Sequence, residues 1–151
     1  MRVQFKKLSE HARTPTRGTE YSAGYDVYAA ENVVIKARGW SLIRTNIALG
    51  WPDHSYYVQV ASRSGLCYKN GLFATAGVID YDYRKDIGVI LMNGSDIDFE
   101  IKIGDRMAQL LFIRVENNIE FEETEEFEEI NSSRNGGFGS TGLNENLKEE
   151  K

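Results

Sequence analysis

Hydrophobic and polar positions alternate in short runs along much of this chain. Ile97-Asp98-Phe99-Glu100-Ile101-Lys102-Ile103 alternates without a break, as a strand with one buried face does. Val33–Lys36, Ser41–Leu49, Tyr56–Ala61, Ile87–Met92 and Met107–Val115 are rich in Val, Ile, Tyr, Phe and Leu, which suit a pleated, half-buried surface. Turn signals separate the runs: Arg38-Gly39, Gly50-Trp51-Pro52-Asp53, Lys69-Asn70-Gly71, Asn93-Gly94 and Gly104-Asp105. No segment sustains a helical period, and Ser64–Lys69 has room for one or two helical turns at most. The pattern predicts one all-β domain, a sandwich or barrel, without internal repeats or linkers.

Composition narrows the function classes. The chain has 151 residues, 41% of them hydrophobic, enough to bury a sizeable single core. A net charge of −5 argues against gripping nucleic acid through a basic surface, although a small anionic ligand needs only a local cluster. No apolar run reaches membrane-spanning length, and Met1–Lys7 lacks a signal-peptide core. Cys67 is the only cysteine, which excludes an internal disulfide and fits a reducing compartment. The expected setting is intracellular, cytoplasmic or nuclear and not secreted, with no membrane or nucleic-acid partner. His11 and His54 are the only histidines, so no His/Cys metal-site spacing exists, and His54 reads as an exposed turn residue. Glu116–Ile130 is acidic but interrupted by Ile119, Phe121, Phe127 and Ile130, a solvated edge with apolar anchors available to another subunit. Asn144–Lys151 reads as a disordered tail.

Five segments carry candidate chemistry. Arg134-Asn135-Gly136-Gly137-Phe138-Gly139-Ser140-Thr141-Gly142 combines four glycines, two hydroxyls, a guanidinium and a lone aromatic ring. Glycines let backbone approach a ligand, successive N–H groups hold anions, arginine forks phosphate oxygens, and an isolated ring suits a base. The set suggests a nucleotide; the alternative is a flexible Gly/Ser tail. Asp26, in the small apolar run Ala23–Ala30, needs an arginine or loop amides as partner. Ser62-Arg63-Ser64-Gly65 places a cation and a hydroxyl at a helix start, which makes either an anion pocket or a simple cap. Ala76–Asp86 reads as a hairpin with Asp80 near its bend, Asp80 suited to a general base and Tyr83 to the wall of a sugar pocket, or as an ordinary polar turn. Gln109, polar in an apolar run, needs a partner, either backbone or ligand.

In order and spacing these segments resemble the five motifs of the trimeric deoxyuridine triphosphatases (dUTPases). Ala23-Gly24-Tyr25-Asp26, Arg63-Ser64-Gly65-Leu66, Gly77-Val78-Ile79-Asp80 with Asp82-Tyr83-Arg84, Gly104-Asp105-Arg106 with Ala108-Gln109-Leu110, and Gly137–Gly142 carry the resemblance, which runs from about Pro15 to Gly142. It implies a distorted jelly-roll β-sandwich in a homotrimer with sites at subunit interfaces. It implies Mg2+-assisted hydrolysis of dUTP to dUMP and pyrophosphate, which keeps uracil out of DNA and supplies dUMP for thymidylate synthesis. Asp80 matches the catalytic carboxylate that deprotonates the attacking water. Backbone of Gly77, Val78 and Ile79 matches the uracil-reading segment, and Tyr83 packs against deoxyribose. Arg63, Ser64, Gly65 and Gln109 match phosphate contacts. Arg134, Phe138, Gly139, Ser140 and Thr141 match the closing arm, with Phe138 over uracil. Asp26 and Arg84 match supporting residues. The metal is held by triphosphate and water, with no direct protein ligand. The implied layout is a core over 1–130, an arm over 131–142 and a tail over 143–151.

The chain departs from the family pattern at Ser62 (usually proline), Cys67 (usually alanine) and Lys85 (usually glycine). Arg134 lies four positions before Phe138, where the family arginine lies five before, and Ser133 takes that slot. Asn135 and Gly136 can bridge one residue, about 3.5 Å of reach, so Arg134 is assigned the phosphate role. The rivals are a dCTP deaminase, which shares the fold but favours a glutamate beside the pyrimidine amino group, and a nucleotide-gated binding protein with little turnover.

Overall fold

A computed structural model describes residues 1–128 of the chain. The chain divides into two compact units, Met1–Asn118 and Ile119–Lys151. The first contains eleven strands and one short helix: β1 (Gln4–Lys7), β2 (Tyr25–Tyr28), β3 (Val33–Ile35), β4 (Trp40–Arg44), β5 (Ile47–Gly50), β6 (Tyr56–Ala61), α1 (Ser64–Asn70), β7 (Leu72–Thr75), β8 (Val78–Ile79), β9 (Gly88–Asn93), β10 (Phe99–Ile101) and β11 (Arg106–Arg114). The all-β expectation holds. The strands form antiparallel sheets in the orders β1-β5, β10-β3, β2-β11-β6-β8 and β4-β9-β7.

Alternation decides which side chains enter the core. On β6, Val58 and Val60 point inward and Tyr57 and Gln59 outward; on β9, Val89 and Leu91 point inward. They join Val27, Ile35, Ile43, Ile47, Leu72, Ile101, Met107 and Leu110 in one buried cluster. On the outer face of β4-β9-β7, Trp40, Met92 and Phe73 fall in one cross-strand row, with Trp40 and Phe73 exposed.

Several runs are shorter than their pattern. Ser41–Leu49 is two strands in different sheets, separated at Thr45-Asn46, where Asn46 takes φ 52°. Asn is among the few residues that accept this left-handed conformation cheaply. Ile97–Ile103 keeps its alternation but pairs only over Phe99–Ile101. On one side the Asp98 carboxylate leaves the ladder to accept the Ala37 amide at 2.9 Å and Lys36 Nζ at 2.7 Å. Lys36 first and the amide second hold its carboxyl below the usual range. On the other, Asp105 closes a turn by accepting the Lys102 amide at 2.9 Å. The short helix falls where expected, and Gly71 at φ 68° ends it.

Of the second unit, 119–128 has no regular structure, and Ile119, Phe121 and Phe127 are exposed. Ile130, the arm and the tail lie outside the described residues.

Candidate active site

The sequence-predicted residues gather at two places in the first unit. The first centres on Asp26 in β2, whose side chain is 16% exposed and faces two arginines. Arg63 Nε lies 3.1 Å from Asp26 Oδ1, and an Arg106 terminal nitrogen 3.2 Å from Oδ2. Arg63 also donates to the Arg106 carbonyl at 2.9 Å, which leaves its second amino group without an acceptor among the described residues. Of the partners open to Asp26 in the sequence, arginine is the one used.

A bulge brings Arg106 there. Residues 106 and 109 are an odd number apart, so on a regular strand their side chains would point to opposite faces. The register of β11 against β2 shifts between Arg106 and Ala108, and Met107 and Ala108 are buried in succession. The extra residue puts Arg106 opposite Tyr28 and Gln109 opposite Asp26, on one face. Sequence reasoning missed Arg106 as Asp26's second partner because nothing in Arg106-Met107-Ala108 signals a bulge.

Gln109 takes backbone as its partner: its Nε2 donates to the Ser62 carbonyl at 2.8 Å. A side chain on Gly24 would have its Cβ 2.1 Å from Gln109 Oε1, so glycine there makes room for the amide. Ser62, the residue in place of proline, accepts the Ala74 amide through its hydroxyl at 2.9 Å. Its side chain therefore ties the loop before α1 to β7. Arg63 sits at the N-cap position, and no side chain caps the helix, so the capping alternative for Ser64 is not realised. Ser64 and Gly65 are exposed on the first turn, as is Cys67 further along α1.

The second place is the connection between β7 and β9. These strands are antiparallel neighbours, as a hairpin requires, but the chain between them crosses to the other sheet, where β8 pairs with β6. Ala76 (φ 56°) and Gly77 (φ 93°) make the crossing. A Cβ on Gly77 would stand 2.7 Å from Val60 Cβ and 2.9 Å from the Val60 oxygen, so only glycine fits. β8 ends its sheet, and its outer edge faces no strand among the described residues. The Val60 amide donates to the Gly77 carbonyl at 2.8 Å, so Gly77 and Ile79 turn their backbone groups toward β6 and Val78 turns its own to the open edge.

Asp80 follows β8 directly. The Tyr83 amide donates to the Asp80 carbonyl at 3.1 Å and closes a turn. The Asp80 carboxylate is exposed and accepts no hydrogen bond among the described residues, an arrangement open to a water or a substrate. Tyr83 donates its hydroxyl to the Asp86 carbonyl at 2.9 Å, which fixes its ring. Arg84 donates to the carbonyls of Tyr81 and, at 3.0 Å, Tyr83. Its guanidinium lies 5.4 Å from the Tyr81 ring centre and 5.8 Å from that of Trp51. Lys85 does not take left-handed backbone, so nothing at that position requires the family's glycine. Beside Asp80 a surface recess of about 680 Å³ is lined by His54, Tyr57, Val78 and Asp82 among others. His54 is exposed, as its turn position implied. Hydrogen bonds from the Ser55 hydroxyl and amide hold the neighbouring Asp53 carboxyl low, with His54 and Arg114 adding to the effect.

The two places are far apart within one chain. Continuing the β6–β8 register, Asp80 stands level with Tyr57, whereas Asp26, through Gln109 of β11, stands level with Ala61. Four residues along the strands and three strand spacings across them separate the two by roughly 20 Å. Arg134, Phe138, Gly139, Ser140 and Thr141 lie outside the described residues. Among the described residues no cluster of His, Cys, Asp or Glu could hold a metal ion by itself.

Comparison with known proteins gives a consistent result. A family profile described as dUTPase matches residues 10–142. The chain is 44% identical over 149 residues to the deoxyuridine 5'-triphosphate nucleotidohydrolase of Yarrowia lipolytica, covering 98% of this chain and 94% of that one. It is 46% identical over 138 residues to the enzyme of that name from Arabidopsis thaliana, covering 91% and 81%. Among solved structures it resembles the dUTPase of Staphylococcus bacteriophage 80alpha with dUpNHpp, at a TM-score of 0.84 and 30% identity over 94% of this chain and 99% of the other. A substituted dUTPase from phage phi11 of S. aureus, described with a structural Mg(II) ion, superposes with a TM-score of 0.77 at 28% identity, covering 85% and 100%. The jelly-roll expectation holds on these likenesses.

Proposed function

The chain belongs to the dUTPase family, and from that premise we propose that it hydrolyses dUTP to dUMP and pyrophosphate by attack of water on the α-phosphorus. The observation that carries the reading is the Asp80 turn: an exposed carboxylate, unpaired among the described residues, beside the open backbone edge of β8. Asp80 accepts the proton of the attacking water. The segment Gly77–Ile79 receives uracil, with the backbone groups of Val78 at its open edge, and Tyr83, its hydroxyl tied to Asp86, presents its ring to the sugar where a ribose 2'-hydroxyl would clash. Arg63, with one amino group spare, and Ser64 and Gly65 hold the phosphates. Gln109 acts from behind them through Ser62. Arg134, Phe138 and Gly139–Thr141 close over the bound nucleotide and exclude water.

The separation of roughly 20 Å across the sheet supports a site shared between copies of the chain, with Asp80 from one and Arg63 from another. A homotrimer meets this need, because a ring of identical heterologous contacts closes with three equivalent sites. The exposed apolar row of Trp40 and Phe73 supports self-association. The cation implied is Mg2+. It would be held by triphosphate oxygens and water, with Arg63 beside it on the phosphates. When bound it neutralises phosphate charge. Removal of dUTP keeps uracil out of DNA, and the product dUMP feeds thymidylate synthesis, in an intracellular setting.

The test is pyrophosphate release from dUTP, dCTP, dTTP and UTP, each with Mg2+. Preference for dUTP is expected, since a site with fixed donors and acceptors rejects a mismatched base far more strongly than one missing methylene. Comparable kcat/KM for dUTP and dCTP would overturn the assignment.

A further inference from the structure

We propose that Arg84, stacked on Trp51, is the positioning residue that sets the Asp80–Tyr83 turn, so that a loop outside the five motifs governs both rate and sugar selectivity. The inference rests on the dUTPase reading above and asks what holds its catalytic turn in place.

The turn has little of its own to fix it. It is exposed, the Asp80 side chain is unbonded among the described residues, and one backbone hydrogen bond closes it. Rigidity comes from Arg84. The same terminal nitrogen donates to the Tyr81 and Tyr83 carbonyls, inside and at the end of the turn. A planar guanidinium can do this while lying against aromatic faces. Trp51 and Tyr81 supply those faces, and the two rings meet edge-on at 5.9 Å.

Trp51 is itself immobilised. It is 4% exposed, its indole N–H donates to the Tyr56 carbonyl at 2.9 Å, and it packs edge-on against Phe112 of β11 at 5.8 Å. His54, from the same loop, stands 6.1 Å from the Tyr81 ring. The loop Trp51–Ser55 therefore anchors Arg84 to the core, and Arg84 holds the turn. Both Asp80 and Tyr83 depend on the one clamp. Loosening it moves the base and the sugar wall together, and a displacement of about 1 Å in a catalytic group costs up to about a hundredfold.

The experiment compares Arg84→Ala, Trp51→Ala and Trp51→Phe with the unaltered chain, using dUTP and UTP with Mg2+ and light scattering to verify assembly. Arg84→Ala is expected to lower kcat for dUTP by about ten- to a hundredfold with KM changed less than about threefold, and to narrow the dUTP-to-UTP ratio in kcat/KM by about tenfold. Trp51→Phe and Trp51→Ala both lose the indole bond to Tyr56, so their difference reads the ring beneath Arg84. Phe is expected to retain most of the selectivity and Ala to lose it. Added guanidinium should restore part of the kcat of Arg84→Ala. Arg84→Ala with kcat and sugar ratio within about twofold of the parent would overturn the proposal, as would equal loss on both nucleotides, which marks mere loss of folded enzyme. An unaltered chain inert on dUTP would instead overturn the dUTPase reading itself.

Discussion

The surroundings of Asp26 and of Asp80 solve opposite problems with the same functional group. Asp26 is largely buried and spends both oxygens on arginines, so its charge is used up in holding Arg63 and Arg106 in place. Asp80 is exposed and bonds to no side chain among the described residues, so its charge stays available while backbone, Tyr83 and Arg84 hold its position. A carboxylate with both oxygens engaged by guanidinium groups has no oxygen left to take up a water. A carboxylate that must accept a proton is better fixed through its backbone.

Removing the charge at each place breaks the comparison most sharply. Asp80→Asn preserves shape, so kcat for dUTP should fall by about 10²–10⁴, with stability to urea changed by less than about 0.5 kcal/mol. Turnover within about threefold of the parent would mean that another group takes the proton.

The cation side is next. Arg134→Ala should lower kcat/KM by about ten- to a hundredfold, the range of a lost charged hydrogen bond, while Ser133→Ala changes little. If Ser133→Ala proved the damaging change, the one-residue offset from the family spacing would have to be read the other way.

Asp26→Asn should cost activity and stability together, in contrast to Asp80. Two ion pairs weaken at a half-buried site, and a loss of about 1–3 kcal/mol in urea unfolding is expected. Unchanged stability with lost activity would make Asp26 a ligand contact and not a scaffold.

The smallest effect belongs to Asp98, exposed and far from either place. Its pKa is lowered in the folded chain, so the stability it supplies is present above the unfolded value and is lost as pH falls through the folded one. Asp98→Asn should therefore be slightly less stable than the parent near neutrality, and the difference should vanish in strong acid, below the lowered pKa of the folded chain. Parallel unfolding curves from neutrality to strong acid would exclude this linkage.

The fold was legible in several of the hydrophobic runs, though Ile97–Ile103, the longest strict alternation, pairs only over Phe99–Ile101. Tyr56–Ala61 and Ile87–Met92 correspond closely to β6 and β9, and Ser64–Lys69 to α1. What could not be read were features set by neighbours in space. Gln4–Lys7 is exposed throughout and becomes a strand only because β5 offers it a partner. β8 has two residues, too few to carry a pattern. Asp26 was recognisable as an acid in need of an arginine or loop amides, but Arg106 reaches it through a bulge, and a bulge is a matter of register between strands. The Trp51 clamp was hidden for the same reason: Trp51 and Arg84 are thirty-three positions apart, and only the crossing of the chain between sheets brings them together.

The run of β6 from the level of Asp80 to Arg63 reaches beyond geometry into inheritance. On the shared-site reading, each polypeptide contributes halves of two different centres. A chain lacking Asp80 and a chain lacking Arg63 are each inert alone, yet mixed at random in equal amounts they rebuild about a quarter of the centres intact. A chain lacking both does the reverse. Mixed equally with the unaltered chain, it leaves about a quarter of centres working where independent centres would leave about half. On that reading, an allele broken at Asp80 and one broken at Arg63 complement each other, and an allele broken at both places lowers activity below the half expected of a simple null.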